Sequence, residues 1–230
     1  MSIEQMADEQ LADQSFRQIY GAIRSGVLAP GARFSETDLM EKFALTRAPL
    51  RNALTRLVHA GWVTALPRRG YVIKPITLRD VREVFDLRKL LEPEAARRAA
   101  GRVDKQLLEA LNEAASRAYD PADDTGASEF FAANAALHTG IAMAAGNHRI
   151  AQLVQELHEE SERILRVGMR HANWSQGWQH GHEELLSALI DGESELAAAV
   201  ALRQLEFSER IVMDAITDLF DTVQITQTRN

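Results

Sequence analysis

The chain has no cysteine in its 230 residues. That excludes disulfides and thiolate metal sites, and it agrees with a reducing cytoplasm. It has no run of about 18 apolar residues, so no membrane span is expected. The opening segment, MSIEQMADEQLADQ, is acidic and polar, so neither a signal nor a transit peptide is expected there. Glycine-rich phosphate loops and nucleophile–base motifs are missing, which leaves the common enzyme classes without support. There is no repeat at solenoid period, no low-complexity tract and no strand pattern after Ile73. What remains is 46% hydrophobic content, enough for two modest domains with ordinary cores.

The net charge of −7, taken as an average, disfavours nucleic acid, but the charge is unevenly placed. Residues 14–75 hold ten Lys and Arg against three Asp and Glu, a balance of +7. Residues 76–230 hold sixteen against twenty-six, a balance of −10, and the N-terminal arm adds −4. One basic module that can meet phosphates is joined to a body that repels them.

Within the basic module, Ser35 to Ile73 reads as helix, turn, helix and hairpin. Ser35 is an N-cap type residue, with Asp38 three positions on completing a capping-box pair. Leu39 and Phe43 form an apolar face. Thr46 is expected to cap a second helix, with Pro49 in its first turn, where a missing N–H costs nothing. Leu50, Leu54 and Leu57 must face a core. Arg47 and Arg51 lie one turn apart on another face, near the N-terminal end, where a recognition helix meets the major groove. Arginine's planar fork suits guanine and phosphate. Gly61 ends the helix as a C′ glycine. Two β-prone runs, 62–66 and 71–73, flank Pro67-Arg68-Arg69-Gly70, a basic wing tip. The whole is a winged helix-turn-helix, and its chemistry points to double-stranded DNA.

Around this module the pattern predicts a first helix over about 11–25 and a linker at Lys74-Pro75-Ile76. The domains are then 1–75 and 76–230. Thr77 is expected to cap a long helix through about Ala100, kinked at Pro93. Further helices are expected at about 104–119, 127–145, 147–170, 178–190 and 194–219, with a loop at 120–126 and the last ten residues frayed. The fold class is mainly α: a winged helix-turn-helix followed by an all-helical antiparallel bundle of about six helices.

Gly26-Val27-Leu28-Ala29-Pro30-Gly31-Ala32-Arg33-Phe34-Ser35-Glu36, then Leu45-Thr46-Arg47-Ala48-Pro49-Leu50-Arg51-Asn52-Ala53-Leu54 and Arg69-Gly70, resemble the GntR superfamily of bacterial transcription regulators. The resemblance implies operator contacts at Thr37, Thr46, Arg47, Arg51 and the wing at Arg69 and Gly70. The rest of the chain resembles the FadR-type branch with an FCD effector domain. That match rests on Leu87-Arg88-Lys89-Leu90-Leu91-Glu92 with Ala95-Ala96, on Leu137-His138 and Ala144-Ala145-Gly146-Asn147, and on His182 with Ala188-Leu189 and Gly192.

The same resemblance implies an effector pocket at Arg88, Asn134, His138, His182 and Gln204. Many FCD domains hold a divalent metal there with one Asp and three His. In this chain those positions are Asn134, His138, His182 and Gln204, so only His138 and His182 remain as good ligands. No histidine follows His182 to replace the last one. Two amides disfavour a tight site but leave a weak divalent-metal site at His138 and His182 open, so no cofactor is certain. An amide can instead bind an organic effector directly, and Arg88 can meet a carboxylate. Trp174 and Trp178 can wall a pocket or simply pack. Glu159, Glu160, Glu162 and Arg163 read as a solvated helix face, and His59, His148, His158 and His171 show no metal spacing. The expected protein is a cytoplasmic homodimeric regulator, a repressor on a pseudo-palindromic operator that responds to a small carboxylate by a changed arrangement of its two wings. Two rivals stand beside it: a helical metal-dependent enzyme fused to a DNA-binding module, and a DNA-binding scaffold with a decayed pocket.

Overall fold

A computed structural model describes residues 3–117, 124–169 and 179–227, with side chains for 9–117, 125–166 and 182–217. The chain divides into two compact units, Met1–Ile76 and Thr77–Asn230. Among the described residues there are nine helices and one three-stranded sheet.

The first unit runs α1 (Ile3–Arg24), β1 (Arg33–Phe34), α2 (Glu36–Phe43), α3 (Arg47–His59), β2 (Val63–Leu66) and β3 (Gly70–Ile73). Helix α1 starts well before residue 11. No proline or glycine interrupts Ile3 to Tyr20, so nothing in the sequence stops the helix before residue 11. Ser35 and Asp38 make the expected capping box: the Asp38 N–H donates to Ser35 Oγ (3.2 Å), and the Ser35 N–H donates to the Asp38 carboxylate (2.8 Å). Those bonds hold the Asp38 carboxyl below its usual value. Thr46 occupies the N-cap position of α3 with extended backbone, but its hydroxyl makes no capping bond. Leu50, Leu54 and Leu57 are buried with Ile19, Ile23, Leu39, Val63 and Ile73. Gly61, at φ +75°, follows the α3 C-cap residue Ala60.

The hairpin β2–β3 pairs Val63 with Ile73 and Leu66 with Gly70. Strand β1, absent from the sequence pattern, adds to the other edge of β3 and pairs Phe34 with Tyr71. Two residues carry no periodicity; only the long-range pairing makes them a strand. Gly70 has φ +83°, and a Cβ there would lie 2.4 Å from the Phe34 carbonyl oxygen. Glycine is therefore required where β1 crosses the wing. Gly70→Ala should destabilise this unit by about 1–3 kcal/mol. Calorimetry of the full chain should show one transition moved down; an unmoved transition would mean the crossing relaxes freely.

The second unit contains α4 (Leu78–Ala99), α5 (Lys105–Ala115), α6 (Asp124–Ala144), α7 (His148–Met169), α8 (Gln179–Asp191) and α9 (Ser194–Gln227). Helix α4 starts at a second capping box, Thr77 with Asp80, and continues past Pro93 to Ala99. Helix α5 ends at Ala115, four residues short of the expected end, and α9 extends to Gln227 rather than 219. Short connections at 145–147 and 192–193 make α6/α7 and α8/α9 antiparallel neighbours. The core joins Ala95 and Ala99 of α4, Leu137 and Ile141 of α6, Val154 of α7, Leu185 and Leu189 of α8, and Ala197 and Val200 of α9. Small residues at these crossings let the helices approach closely. Residues 118–119 of the expected helix, 120–123 of the expected loop, His171, Trp174 and Trp178 lie outside the described residues, and 124–126 of that loop instead open α6.

Candidate nucleic-acid interface and effector site

In the first unit, Thr37, Thr46, Arg47, Arg51 and Arg69 are all exposed, and Gly70 is half-buried. Arg47 opens α3, and Arg51 follows one turn on. The wing turn is closed by the Arg69 N–H donating to the Leu66 carbonyl (2.9 Å), and Arg68 takes a left-handed conformation at φ +62°. A cleft of about 450 Å³ opens between Arg51 and the wing, lined by Glu36, Arg51, Pro67, Arg68, Gly70 and Tyr71. Arg51 does not project freely. Its Nε–H donates to both oxygens of Glu36 at 3.0 Å. Glu36 had no assigned role in the sequence, because the contact joins α2 to α3 across the tertiary fold.

In the second unit, the buried polar residues lie on α4, α6, α7 and α8, with Ser208 on α9. Arg88 is 3% exposed and is neither a surface arginine nor open to a ligand. Its Nε donates to Glu92 at 2.6 Å, its Nη1 donates to Ser161 Oγ at 3.3 Å, and its Nη2 lies 3.2 Å from His158 Nε2. Glu92 in turn receives His138 Nδ1 at 3.1 Å and touches His158 Nε2 at 3.3 Å. Burial alone would raise the Glu92 carboxyl, but the Arg88 guanidinium and the two imidazoles outweigh it and hold it well below the usual range. Burial pushes His158 down to about 3, with Arg88 adding to the effect, so its ring is neutral. A neutral Nε2 can donate to Glu92 or accept from Arg88, not both.

His138 stacks on His158 (centroids 4.6 Å) and meets His182 edge-on (5.6 Å). His182 is also pushed down to about 3, chiefly by burial. Asn134 lies one turn before His138, is 2% exposed, and its Oδ1 has no hydrogen-bond partner. Gln204 is half-buried on α9, and its backbone carbonyl accepts from Ser208. The structure thus brings His138 and His182 together as expected, and adds Glu92 and His158.

Two expectations are corrected. His158 belongs to the cluster although its sequence spacing gives no sign of it, because α4, α6 and α7 pack together. The 159–163 run is not a solvated face: Glu162 and Arg163 are buried, and Arg166 donates to Glu162 (3.0 Å) and to Ser128 of α6 (2.8 Å). Helix α7 turns this side toward its neighbours, and the charges pair there rather than in water.

The donor set does not suit a divalent metal. Glu92, His138 and His158 form the one group of three ligand-type side chains among the described residues with atoms within 4.8 Å of one another. Arg88 already places a cation 2.6 Å from that carboxylate. The other two positions implied by resemblance, Asn134 and Gln204, are neutral amides.

Among the described residues no helix is long and apolar enough to cross a membrane. Residues 11–73 match bacterial regulatory proteins of the gntR family, and residues 83–207 match the FCD domain. The chain is similar to the Nta operon transcriptional regulator of Aminobacter aminovorans, 27% identical over 83% of this chain and 91% of that one. It is similar to the HTH-type transcriptional repressor RspR of Escherichia coli, 24% identical over 89% and 92%. Its fold is like the crystal structure of a putative transcriptional regulator GntR from Rhodococcus sp. RHA1, with TM-score 0.72 and 21% identity over 89% of this chain and 98% of that one. The winged unit with its exposed arginines, the helical bundle behind it and these matches agree: the chain belongs to the GntR family of bacterial regulatory proteins, as a DNA-binding transcriptional regulator with a C-terminal FCD effector-binding domain.

Proposed function

We propose that this protein is a cytoplasmic, homodimeric repressor without enzymatic activity, which releases a pseudo-palindromic operator when a small hydroxylated carboxylate binds the FCD domain. The observation that supports the DNA half is the pair Arg47 and Arg51, both exposed at the start of α3 beside the basic wing. Thr37, Thr46 and Arg69 would meet phosphates around it. Two copies related by a two-fold axis would match two half-sites.

The effector reading rests on Asn134. A buried carbonyl oxygen without a donor costs about 1–3 kcal/mol, which a ligand hydroxyl would recover. His182 lies against His138 and can offer an N–H to a carboxylate, while His138, whose Nδ1 already donates to Glu92, can offer Nε2 as an acceptor for a ligand hydroxyl. Arg88, bound to Glu92, would then position the imidazole that Glu92 holds rather than grip the ligand. Binding shifts DNA affinity only if the ligand prefers one arrangement of the dimer over the other.

A thermal-shift screen of small hydroxy acids tests this. One of them should raise the melting temperature of the metal-free protein by about 5–10 °C near a hundred times its Kd, and it should weaken DNA binding. Asn134→Ala and His182→Gln should each lose that response. A flat screen would favour a scaffold whose sensor has decayed. Stabilisation by divalent metal alone, resistant to chelator, would show that two amides suffice as ligands.

A further inference from the structure

Glu36 of α2 is held against the recognition helix α3 through Arg51. We infer that Glu36 is a positioning residue that sets which edge of Arg51 faces DNA and makes that arginine a base reader rather than a phosphate contact. The inference rests on the DNA-binding reading above and adds a specificity determinant to it.

Glu36 is the first residue of α2, directly after Ser35 of the capping box, so its backbone is fixed. Its side chain is only 23% exposed, while that of Arg51 is 61% exposed. The Tyr71 hydroxyl donates to Glu36 Oε1 at 3.5 Å, and the Tyr71 ring stacks on Phe34 with centroids 5.7 Å apart. Three elements, α2, α3 and β3, therefore meet at one carboxylate.

A guanidinium offers two edges for bidentate donation, one through Nε with a terminal nitrogen and one through the two terminal nitrogens. Glu36 occupies Nε from both oxygens. The terminal edge is left to face outward, with the spacing of guanine O6 and N7. Fixing the side chain beforehand lowers the rotamer entropy lost on binding. The carboxylate also offsets the arginine's charge, which weakens its pull toward phosphate at large and leaves geometry to decide.

The experiment uses the full-length protein and a pool of duplexes with a randomised core. Selection and sequencing would define the preferred half-site. Affinity would then be measured on that duplex and on single-base variants, at several salt concentrations, for wild type, Glu36→Ala, Glu36→Gln, Tyr71→Phe and Arg51→Ala. Arg51→Ala should identify one guanine per half-site by loss of preference there. Glu36→Ala should lose preference at that same position, about ten-fold or more. Its salt dependence should steepen by up to about one unit, as the freed arginine turns to phosphate. Glu36→Gln, which keeps one acceptor oxygen, and Tyr71→Phe should lie between.

Unchanged preference at that guanine in both Glu36 variants would overturn the inference. So would an even loss of preference at all positions together with a lowered melting temperature, since that is the mark of a merely structural role. If Glu36→Ala does not fold, Glu36→Gln and Tyr71→Phe decide by the same two readouts. A wild-type protein that selects no motif would overturn the DNA-binding reading itself, and this inference with it.

Discussion

Replacing Arg47 and Arg51 together with alanine should remove sequence-specific DNA binding and leave the fold in place. Both side chains are exposed and no hydrophobic contact depends on them. The Arg51–Glu36 pair is an accessible ion pair, worth little to stability. On DNA the same arginines would be desolvated against base edges, where each is worth on the order of 1–3 kcal/mol. The double variant should therefore bind its operator about two orders of magnitude or more weakly, with circular dichroism unchanged. Non-specific binding should fall less, because Arg33, Arg68, Arg69 and Lys74 still give the unit a basic surface. Light scattering of the wild-type complex should show two chains per operator. Operator affinity equal to wild type in the double variant would place the reading surface elsewhere.

Glu92→Ala should be the most damaging single change to stability. It leaves the Arg88 guanidinium, 3% exposed, without its counter-charge. Breaking such a pair from one side costs about 3–5 kcal/mol, a large share of the 5–15 kcal/mol typical of a domain. Removing both partners as Arg88→Met/Glu92→Leu should cost less, because no charge is then stranded. Denaturant unfolding followed by circular dichroism measures both.

The same cluster predicts acid sensitivity. His158 and His182 have folded values near 3 against an unfolded value of 6.5. Below pH 6.5 the unfolded chain takes up protons that the folded chain refuses, so stability falls as pH drops toward about 3. The slope approaches about 1.4 kcal/mol per pH unit for each histidine. Glu92 acts in the same direction, but lower. Its folded value is depressed below 4.5, so its contribution is complete above that pH and is lost as pH falls further. Between pH 7 and 5 the histidines act alone, and His182→Gln should flatten that slope. A stability that stays level from pH 7 to 5 would mean these rings are protonated in the folded chain.

Local chemistry carried most of the winged unit. The Ser35–Asp38 capping box, the leucine stripe of α3, Gly61 and the basic hairpin are short-range patterns, and each forms where its residues predict, as does the Thr77–Asp80 box that opens the second unit. The helices of the bundle follow from periodicity and from breaks at Gly101, Gly146 and Gly192, although their ends shift by several residues where packing extends or trims them.

The effector cluster was only half legible. Asn134 and His138 share a helix face, so their proximity follows from spacing. Glu92, His158 and Ser161 join them only because α4, α6 and α7 pack together, and no spacing within one helix encodes that. For the same reason the 159–163 charges look solvated until α7 is seen turned inward, and Glu36 looks like an ordinary first-turn acid until Arg51 is seen across from it. The sequence by itself determined the helices, the hairpin, the caps at Ser35 and Thr77, the basic unit and the family, but not strand β1 or the bare N-cap at Thr46. Tertiary packing alone decided which charges were buried against one another, because ion pairs between helices depend on interhelical register, which side-chain periodicity leaves open.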